Sequence, residues 1–326
     1  MSETFERPYI EFETVRRIVK HHLDVEVTPE STKEVLTGLF NTSFFLTAGS
    51  RELVLRIAPL GDEGLLFYEK GMMVTEPMVH RLIREKTDLP VPEIIAYDDS
   101  GGIIPNRYLI MQKLPGRPLS DVSLSAEMLE EIQEELGGMV RKLHDIGGDS
   151  FGYNGRDKVM TPRDNWPDAM LEMISLILGD CCAVGIYNDQ EAEEARKLFE
   201  KQRSLLDHEV TSTLLHMDLW QENILIGDDN RISGIVDIDR SIWGDVELEF
   251  AILDICGLST EAFFAGYGAP RDTSKEAEIR RKIYTLYEFF KYLYIYTVRR
   301  PNPTVFSWYL THTQRLLREI YLSEVN

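Results

Sequence analysis

The feature that most limits how this chain can fold is a group of polar side chains set between apolar segments. The segment Leu215–Ile226 reads LHMDLWQENILI, with Asp218 and Asn223 five residues apart, and Asp237 follows in GIVDID. Each polar group borders a short β-like run, so a hairpin would bring Asn223 and Asp237 to neighbouring strand ends. This order predicts a chemical site. The alternative is an acidic surface loop capped by its own Asn and Asp side chains.

Phosphoryl transfer requires groups of this kind. The reaction needs a hydroxyl held in line and metal ions that neutralise spreading charge, and little covalent help from the protein. In that interpretation Asp218 accepts the hydroxyl proton and is the predicted catalytic residue. Asn223 and Asp237 supply the oxygen ligands that Mg²⁺ prefers.

Charge and cysteine content exclude several classes of protein. A net charge of −20 argues against a nucleic-acid binder, because phosphate contacts need Lys and Arg. No apolar run has the length to cross a bilayer, and the acidic start MSETFERPYIEFE does not resemble a signal peptide. Cys181, Cys182 and Cys256 form no CxxC pair. We expect a cytoplasmic protein without a disulfide framework or a zinc site, and its oligomeric state stays open.

The first third of the chain predicts a small sheet with an inserted helix. Apolar spacing over residues 10–23 indicates a helix, and residues 69–85 indicate another, with Pro77 in its first turn or at a kink. Strands are predicted at 33–37, 43–47, 52–57 and 107–113.

The remainder is predicted to be mainly helical. A stripe from Leu129 to Leu143 marks one helix, and Thr273-x-x-Glu276 has the form of a capping box before a helix that runs through Tyr296. Further helices are predicted at 165–184, 191–206 and 305–321. The corner Leu114-Pro115-Gly116 is the predicted boundary between residues 1–114 and 115–326.

The segment HMDLWQENILI, with GIVDIDRSIWGD after it, resembles the aminoglycoside phosphotransferase family, the small-molecule branch of the protein-kinase-like fold. That family usually has H-G-D-x-x-x-x-N, a strand that ends in Asp, and a Gly-Asp pair. The chain departs at Met217, where the family usually has Gly. It keeps His216, Asp218, Asn223, Asp237, Gly244 and Asp245.

The resemblance covers most of the chain. It implies an α+β, bilobal protein-kinase-like fold with a small antiparallel-sheet N-lobe and a larger, mainly helical C-lobe. It also implies that Asp218 is the catalytic base, that Asn223 and Asp237 bind Mg²⁺, and that Asp245 supports the catalytic loop. His216 is interpreted as a structural residue. Asp239 is interpreted as exposed or paired with Arg240, with a third carboxylate near the metal as the alternative.

The same resemblance assigns nucleotide-binding residues in the first third. Residues 36–43 match the hairpin that covers the nucleotide, with Asn41 and Ser43 near phosphate oxygens. Arg56 stands where the family often has Lys, and would bind the phosphates bidentately. Glu76 is its expected carboxylate partner, with Glu69 as the second choice.

The segment Tyr108–Gly116 resembles the hinge between lobes. Backbone groups of Gln112 and Leu114 would then pair with the purine edge, and Met111 would lie behind the base. ATP is the expected nucleotide, and GTP stays open.

These features together predict a small-molecule kinase that transfers the γ-phosphate of ATP to a substrate hydroxyl. An aminoglycoside or a related amine-bearing compound is the expected acceptor, with antibiotic resistance as the associated role. The alternatives are a metabolite kinase of the homoserine, choline or fructosamine type, or a non-catalytic nucleotide-binding module. The prediction of a cationic acceptor rests on the acidic residues Glu222, Glu247, Glu249, Asp254 and Glu261.

Overall fold

An antiparallel sheet of five strands occupies the first third of the chain. It is seen in a computed structural model that describes residues 7–36, 38, 41–153 and 159–323. The strands are β1 (Thr32–Val35), β2 (Thr42–Ala48), β3 (Arg51–Ile57), β4 (Ile94–Asp98) and β5 (Tyr108–Gln112). Their order in the sheet is β1-β2-β3-β5-β4.

Alternation along β3 divides its side chains between two faces. Leu53 and Leu55 pack on helix α1 (Phe12–Leu23), whose apolar stripe covers one face of the sheet. Val54 packs instead with the residues on the opposite face. Because side chains alternate with a period of two, Arg56 lies on the same face as Val54.

Helix α2 (Met72–Lys86) follows a 3₁₀ turn at Glu69–Gly71. Pro77 lies inside this helix and not in its first turn. Strand β4 was missed in the sequence because all five of its residues are half-buried, so it lacks the alternation that marks the other strands.

Helices dominate the rest of the chain, and two three-stranded sheets lie among them. None of the helices in the described part has the length and apolar character needed to span a membrane. The strands of these two sheets are β6 (Arg117–Pro118), β7 (Gly152–Tyr153), β8 (Thr213–Leu215), β9 (Ile224–Ile226), β10 (Ile232–Ile235) and β11 (Ile242–Gly244). One sheet has the order β10-β9-β6 and the other the order β7-β11-β8. The helices are α3 (Ala126–His144), α4 (Trp166–Ala183), α5 (Asp189–Lys201), α6 (Arg203–Leu206), α7 (Val246–Ile255), α8 (Glu261–Tyr267), α9 (Lys275–Val298) and α10 (Pro303–Ser323).

Two helix predictions need correction. The predicted capping box at Thr273 is wrong, because the hydroxyl of Ser274 accepts the backbone N–H of Ala277 and caps α9. The single helix predicted at 191–206 is divided at Gln202 into α5 and α6.

Residues 62–71, which we call the anchoring loop, cross from the sheet to the helical part. Leu66, Phe67 and Tyr68 are buried in the main core of the helical part. The Phe67 N–H donates to Asp180 Oδ2 at 2.8 Å. Arg299, at the C-terminal end of the helix Lys275–Val298, binds the Glu69 carboxylate, with its Nη1 2.8 Å from Oε1. The two parts of the chain are therefore joined at this loop as well as at the segment after β5.

Helices α3 and α8 approach closely enough for their backbones to touch at two glycines. A Cβ atom on Gly137 would lie 2.0 Å from the Phe263 carbonyl oxygen, and one on Gly266 would lie 1.8 Å from the Glu134 carbonyl oxygen. Both obstacles are backbone atoms, so the helices would have to separate to admit a methyl group.

We expect Gly137→Ala to lower the free energy of unfolding by about 1–3 kcal/mol, the usual cost of overpacking. The adjacent Gly138→Ala is the matched control, because its Cβ would lie 3.6 Å from Gly266 O, an ordinary contact. That control should be neutral, or stabilising by up to about 1 kcal/mol through helix propensity. Urea unfolding measures both, and equal effects would contradict the packing argument.

Candidate active site

The loop after β8 is held by groups on two other elements. Met217 has a left-handed backbone (φ 70°) and a buried side chain. The Glu249 carboxylate on α7 accepts the N–H of His216 at 2.5 Å and that of Met217 at 3.1 Å. The Arg240 guanidinium donates to Met217 O at 2.8 Å. These bonds hold the conformation that Gly would adopt without strain.

The His216 ring links this loop to the strand that precedes Asp237. Its Nδ1 accepts the Asp218 N–H at 3.2 Å, so Nε2 carries the proton and donates to Val236 O at 3.1 Å. Burial lowers the pKa of His216, against the opposing effect of Glu249. A neutral ring that makes both bonds agrees with the predicted structural role.

Asp218 and Asn223 contact each other directly. Asn223 Nδ2 donates to Asp218 O at 2.8 Å and to Asp218 Oδ2 at 3.0 Å. The Asn223 amide oxygen is therefore turned away from Asp218. Burial raises the pKa of Asp218; Lys291 opposes this shift, Asp237 adds to it, and Arg240 opposes it.

Arg56 lies among three carboxylates. Its Nη1 is 2.7 Å from Glu76 Oε1, and its Nη2 is 2.8 Å from Asp237 Oδ1 and 2.9 Å from Asp239 Oδ2. Burial acts to lower the pKa of Arg56, but the three carboxylates raise it well above its usual value. One guanidinium cannot neutralise three carboxylates, so this cluster carries excess negative charge.

The predicted position of Asp239 is wrong, since it is buried against Arg56 and neither exposed nor paired with Arg240. The 3₁₀ turn at Ile238–Arg240 directs the Asp239 side chain toward Arg56 and the Arg240 side chain toward Glu288. Burial and the charge of Asp237 raise the pKa of Asp239 well above its usual range.

The structure identifies which of the two predicted glutamates pairs with Arg56. Glu76 on α2 makes the ion pair described above. Glu69 instead binds Arg299 and accepts the Leu66 N–H at 2.7 Å.

Within the described residues, the hydrogen bonds of Asp245 go to other elements than the predicted catalytic loop. It caps α7 by accepting the Glu247 N–H at 3.0 Å, and it also accepts the Tyr284 hydroxyl at 2.7 Å and bonds His208 Nε2 at 2.9 Å. Glu249 occupies the supporting position instead. The sequence marked Glu249 only as one of several acidic residues.

The acidic residues that suggested a cationic acceptor are largely used within the protein. Glu247 Oε2 is 2.7 Å from Arg280 Nε, Asp254 pairs with Arg271, and Glu249 holds backbone N–H groups. Glu222 and Glu261 are exposed. The acidity of this half therefore gives little support to a cationic acceptor.

The predicted nucleotide residues lie along the face of the sheet and at its end. Ser43 is directly opposite Arg56 in the β2–β3 pairing. Asn41 is buried, and its Oδ1 has no hydrogen-bond partner among the described residues. Thr37, Leu39 and Phe40 of the predicted hairpin lie outside the described residues.

Backbone groups at the predicted hinge have different surroundings. The Gln112 N–H donates to Glu93 O at 2.8 Å, and the Lys113 N–H donates to Glu52 O at 3.0 Å. The Leu114 N–H makes no such bond within the described ranges. Of the N–H groups at Gln112, Lys113 and Leu114, that of Leu114 is therefore the candidate for the purine edge within the described residues.

Sequence reasoning missed an ion cluster that supports the catalytic loop. Arg240 Nη2 is 2.5 Å from Glu288 Oε1, and Lys291 Nζ is 2.7 Å from Glu288 Oε2. All three side chains are buried. The available signal was a Glu and a Lys three residues apart in the aromatic run YEFFKYLYIY, since buried charges need partners.

This cluster generates a pH prediction. Burial acts to raise the pKa of Glu288, but Arg240 and Lys291 lower it from 4.5 to about 2. A carboxyl group with a depressed folded-state pKa stabilises the fold above its unfolded pKa and loses that effect as the pH falls through the folded value. The difference in unfolding free energy between wild type and Glu288→Gln should therefore shrink by roughly 3 kcal/mol as the pH falls from about 5 to about 2.

Urea unfolding at several pH values measures this difference. Glu319→Gln is the control, because Glu319 forms an exposed pair with Lys282 at 3.0 Å and should give a small, flat difference. A flat difference for Glu288→Gln as well would contradict the predicted pKa depression.

Comparison with known proteins adds independent observations. The model of the phosphotransferase enzyme family matches residues 31–277. A protein of Vibrio cholerae named "probable ketoamine kinase" is 28% identical over 214 residues, which are 64% of this chain and 69% of that protein.

Two solved structures share the fold. A "putative fructosamine-3-kinase" of Haemophilus somnus has a TM-score of 0.70 and 17% identity, covering 95% of this chain and 97% of the other. A thermostable mutant of aminoglycoside phosphotransferase APH(4)-Ia, in ternary complex with AMP-PNP and hygromycin B, has a TM-score of 0.66 and 17% identity, covering 94% and 98%. The predicted α+β, kinase-like fold is confirmed.

Proposed function

We propose, from the premise that this chain belongs to the phosphotransferase enzyme family, that it phosphorylates a hydroxyl of a sugar-derived small molecule with ATP. The family prediction is confirmed, and with it the prediction of a small-molecule kinase that acts on a hydroxyl group. The observation that carries the proposal is the joining of two pairs, Asp218–Asn223 and Arg56–Asp237. They are connected through Val236, the residue before Asp237, whose N–H donates to Asn223 O at 3.0 Å.

Asp218 is proposed as the catalytic base. Asn223 Nδ2 holds Asp218 Oδ2, which leaves the other carboxylate oxygen to accept the hydroxyl proton. As the acceptor oxygen forms its bond to the γ-phosphorus, the bond to the β-phosphate oxygen breaks and ADP leaves. The raised pKa of Asp218 favours proton acceptance.

Asn223 and Asp237 are proposed to hold Mg²⁺. The donor set fits, because the Asn223 amide oxygen is turned away from Asp218 and the Asp237 side chain is 41% exposed. Hard oxygen ligands and the excess negative charge beside Arg56 both suit a divalent cation. The ion would neutralise charge on the transferred phosphoryl group.

Residues 1–114 are proposed as the nucleotide-binding lobe and residues 115–326 as the catalytic and acceptor-binding lobe. Arg56, held by Glu76, would bind phosphate oxygens of ATP, with Asn41 and Ser43 beside it. The Gln112 carbonyl and the Leu114 N–H would bind the purine edge. We place the reaction in the cytoplasm, where ATP and Mg²⁺ are available.

A ketoamine is the acceptor we favour. The Vibrio cholerae relative is named a probable ketoamine kinase, and the Haemophilus somnus structure a putative fructosamine-3-kinase. An aminoglycoside is the second candidate, because the structurally similar APH(4)-Ia was solved with hygromycin B.

Asp218→Asn should lower kcat by about 10²–10⁴-fold, because the base is lost while the shape is kept. The Kd for ATP should change little. ADP release with ketoamines, aminoglycosides, homoserine and choline would measure turnover and identify the acceptor. Asp229→Asn, in the exposed turn before β10, is the control. Undiminished turnover in Asp218→Asn would contradict the assignment of the base.

Asp237→Asn should raise the Mg²⁺ concentration needed for half-maximal ATP binding by roughly tenfold or more, since a charged ligand is lost. Metal-free ATP should bind as well as before or better, because Arg56 loses one of its anionic partners. Titrations of ATP in EDTA and in Mg²⁺ measure the two effects, with Asp228→Asn on the same exposed turn as control. An unchanged Mg²⁺ requirement would argue against Asp237 as a ligand.

A further inference from the structure

The three carboxylates around Arg56 differ in how far solvent reaches them. The Glu76 side chain is 1% exposed, that of Asp239 4% and that of Asp237 41%. The Arg56 side chain itself is 10% exposed. Solvent therefore reaches this cluster mainly at Asp237, and a metal ion or a phosphate group would meet that carboxylate before the two buried ones.

The two buried carboxylates hold different nitrogens of the guanidinium. Nη1 of Arg56 donates to Glu76 Oε1 at 2.7 Å, and Nη2 donates to Asp239 Oδ2 at 2.9 Å. Within the described residues, Arg56 is the ion-pair partner of Asp239. A guanidinium is planar and rigid, so hydrogen bonds at both of its ends fix the direction of the whole group. Because Arg has five N–H donors, these two bonds leave others for a further anion.

The backbone after β10 places Asp237 and Asp239 differently, although they are two residues apart. In an extended strand such residues would point to the same face of the sheet. Here Asp237 has a left-handed backbone (φ 65°), which Asp tolerates, and the 3₁₀ turn Ile238–Arg240 follows it. Both carboxylates still reach Nη2 of Arg56, at 2.8 Å and 2.9 Å. The turn thus presents one exposed and one buried carboxylate to the same nitrogen.

Different tasks for the two carboxylates follow from this geometry. When Asp237 binds a divalent cation, its charge is largely neutralised, and its attraction for Nη2 weakens. Asp239 then keeps Nη2 in place, and N–H groups on the exposed side of the guanidinium become available to phosphate oxygens. Without an acceptor at residue 239, Glu76 would hold one end of the guanidinium and the other end could turn away.

We propose that Asp239 is a positioning residue, which holds the Arg56 guanidinium toward the nucleotide phosphates while Asp237 binds the metal ion. Asp239 acts through Arg56 and touches neither the nucleotide nor the reacting atoms. The inference rests on the proposed function, because it assigns a further task within that same site. It also separates Asp239 from Asp237, since the first stays with Arg56 and the second exchanges it for the ion.

The test separates the hydrogen bond of Asp239 from its charge. Asp239→Asn removes the charge and keeps an oxygen acceptor, whereas Asp239→Leu removes both at similar volume. Asp239→Ala is a second variant without an acceptor, for the case that the leucine variant does not fold, and urea unfolding shows which variants are folded. Calorimetry with the full chain and Mg²⁺ gives Kd for ATP and for adenosine, which lacks the phosphates. The Kd for ATP is also measured in EDTA, and phosphate transfer in parallel.

We expect Asp239→Leu and Asp239→Ala to bind ATP with Mg²⁺ roughly tenfold to a hundredfold more weakly than Asp239→Asn, the range for a hydrogen bond to a charged group. Adenosine should bind all three variants equally, because it has no phosphate for Arg56 to contact. In EDTA, Asp239→Asn should bind ATP at least as tightly as wild type, since one negative charge beside Arg56 is lost.

The matched control is the same exchange at Asp228, on the exposed turn before β10. Asp228→Asn and Asp228→Leu should bind ATP equally, and a difference as large as the one at residue 239 would overturn the inference. Equal Kd values for ATP in the three variants at residue 239 would also overturn it. So would an equal loss of affinity for ATP and adenosine, which is the result expected of a purely structural residue.

Failure of the inference and failure of the proposed function give different results. Phosphate transfer to an acceptor without the difference between Asp239→Asn and Asp239→Leu would leave the proposed function standing and overturn the inference. The same difference in ATP binding, without phosphate transfer to any acceptor, would contradict the proposed function and keep the inference.

Discussion

The arrangement around Arg56 determines how the two parts of this protein meet. A guanidinium on the face of a five-stranded sheet binds a carboxylate on α2 and two carboxylates after β10. Removing Arg56 would leave the buried carboxylates of Glu76 and Asp239 without their cation, which is costly in a protein interior. Arg56 therefore fixes the positions of the sheet, α2 and the segment with Asp237 relative to one another. The site exists only where these elements meet.

Much of the candidate site could be predicted from the sequence because its polar groups are close along the chain. Asp218, Asn223 and Asp237 lie on or beside short β runs, and local spacing was enough to place them together. The left-handed backbone at Met217 was not predicted, although the Gly that usually stands there tolerates this conformation. The predicted features depend on a few neighbouring residues and little on packing at a distance.

What could not be predicted depends on long-range pairing. Nothing in the local sequence distinguishes Glu249, Asp239 and Glu288 from other acidic residues. Tertiary packing places Glu249 against a backbone amide, Asp239 against Arg56 and Glu288 against Arg240. Pattern reasoning found most of the helices and strands. It misplaced the cap of α9 because Ser274 follows the predicted Thr273, and it missed β4 because that strand lacks alternation. The net charge of −20 was similarly uninformative about the acceptor, because many of the carboxylates near the site are consumed internally.

The anchoring loop limits how the cleft can move. The loop leaves the sheet after Ile57 of β3, which pairs with Tyr108 at the start of β5. The segment after Gln112 leaves from the opposite end of β5. If the sheet were attached to the helical part by one segment, it could swing open. Because it is attached by two segments, it can only rotate about the line between the two attachments unless one of them breaks. Entry and exit of a nucleotide would then depend on small twisting motions, or on transient loss of the Glu69–Arg299 contact. A contact outside the cluster around Arg56 would then limit how widely the cleft opens.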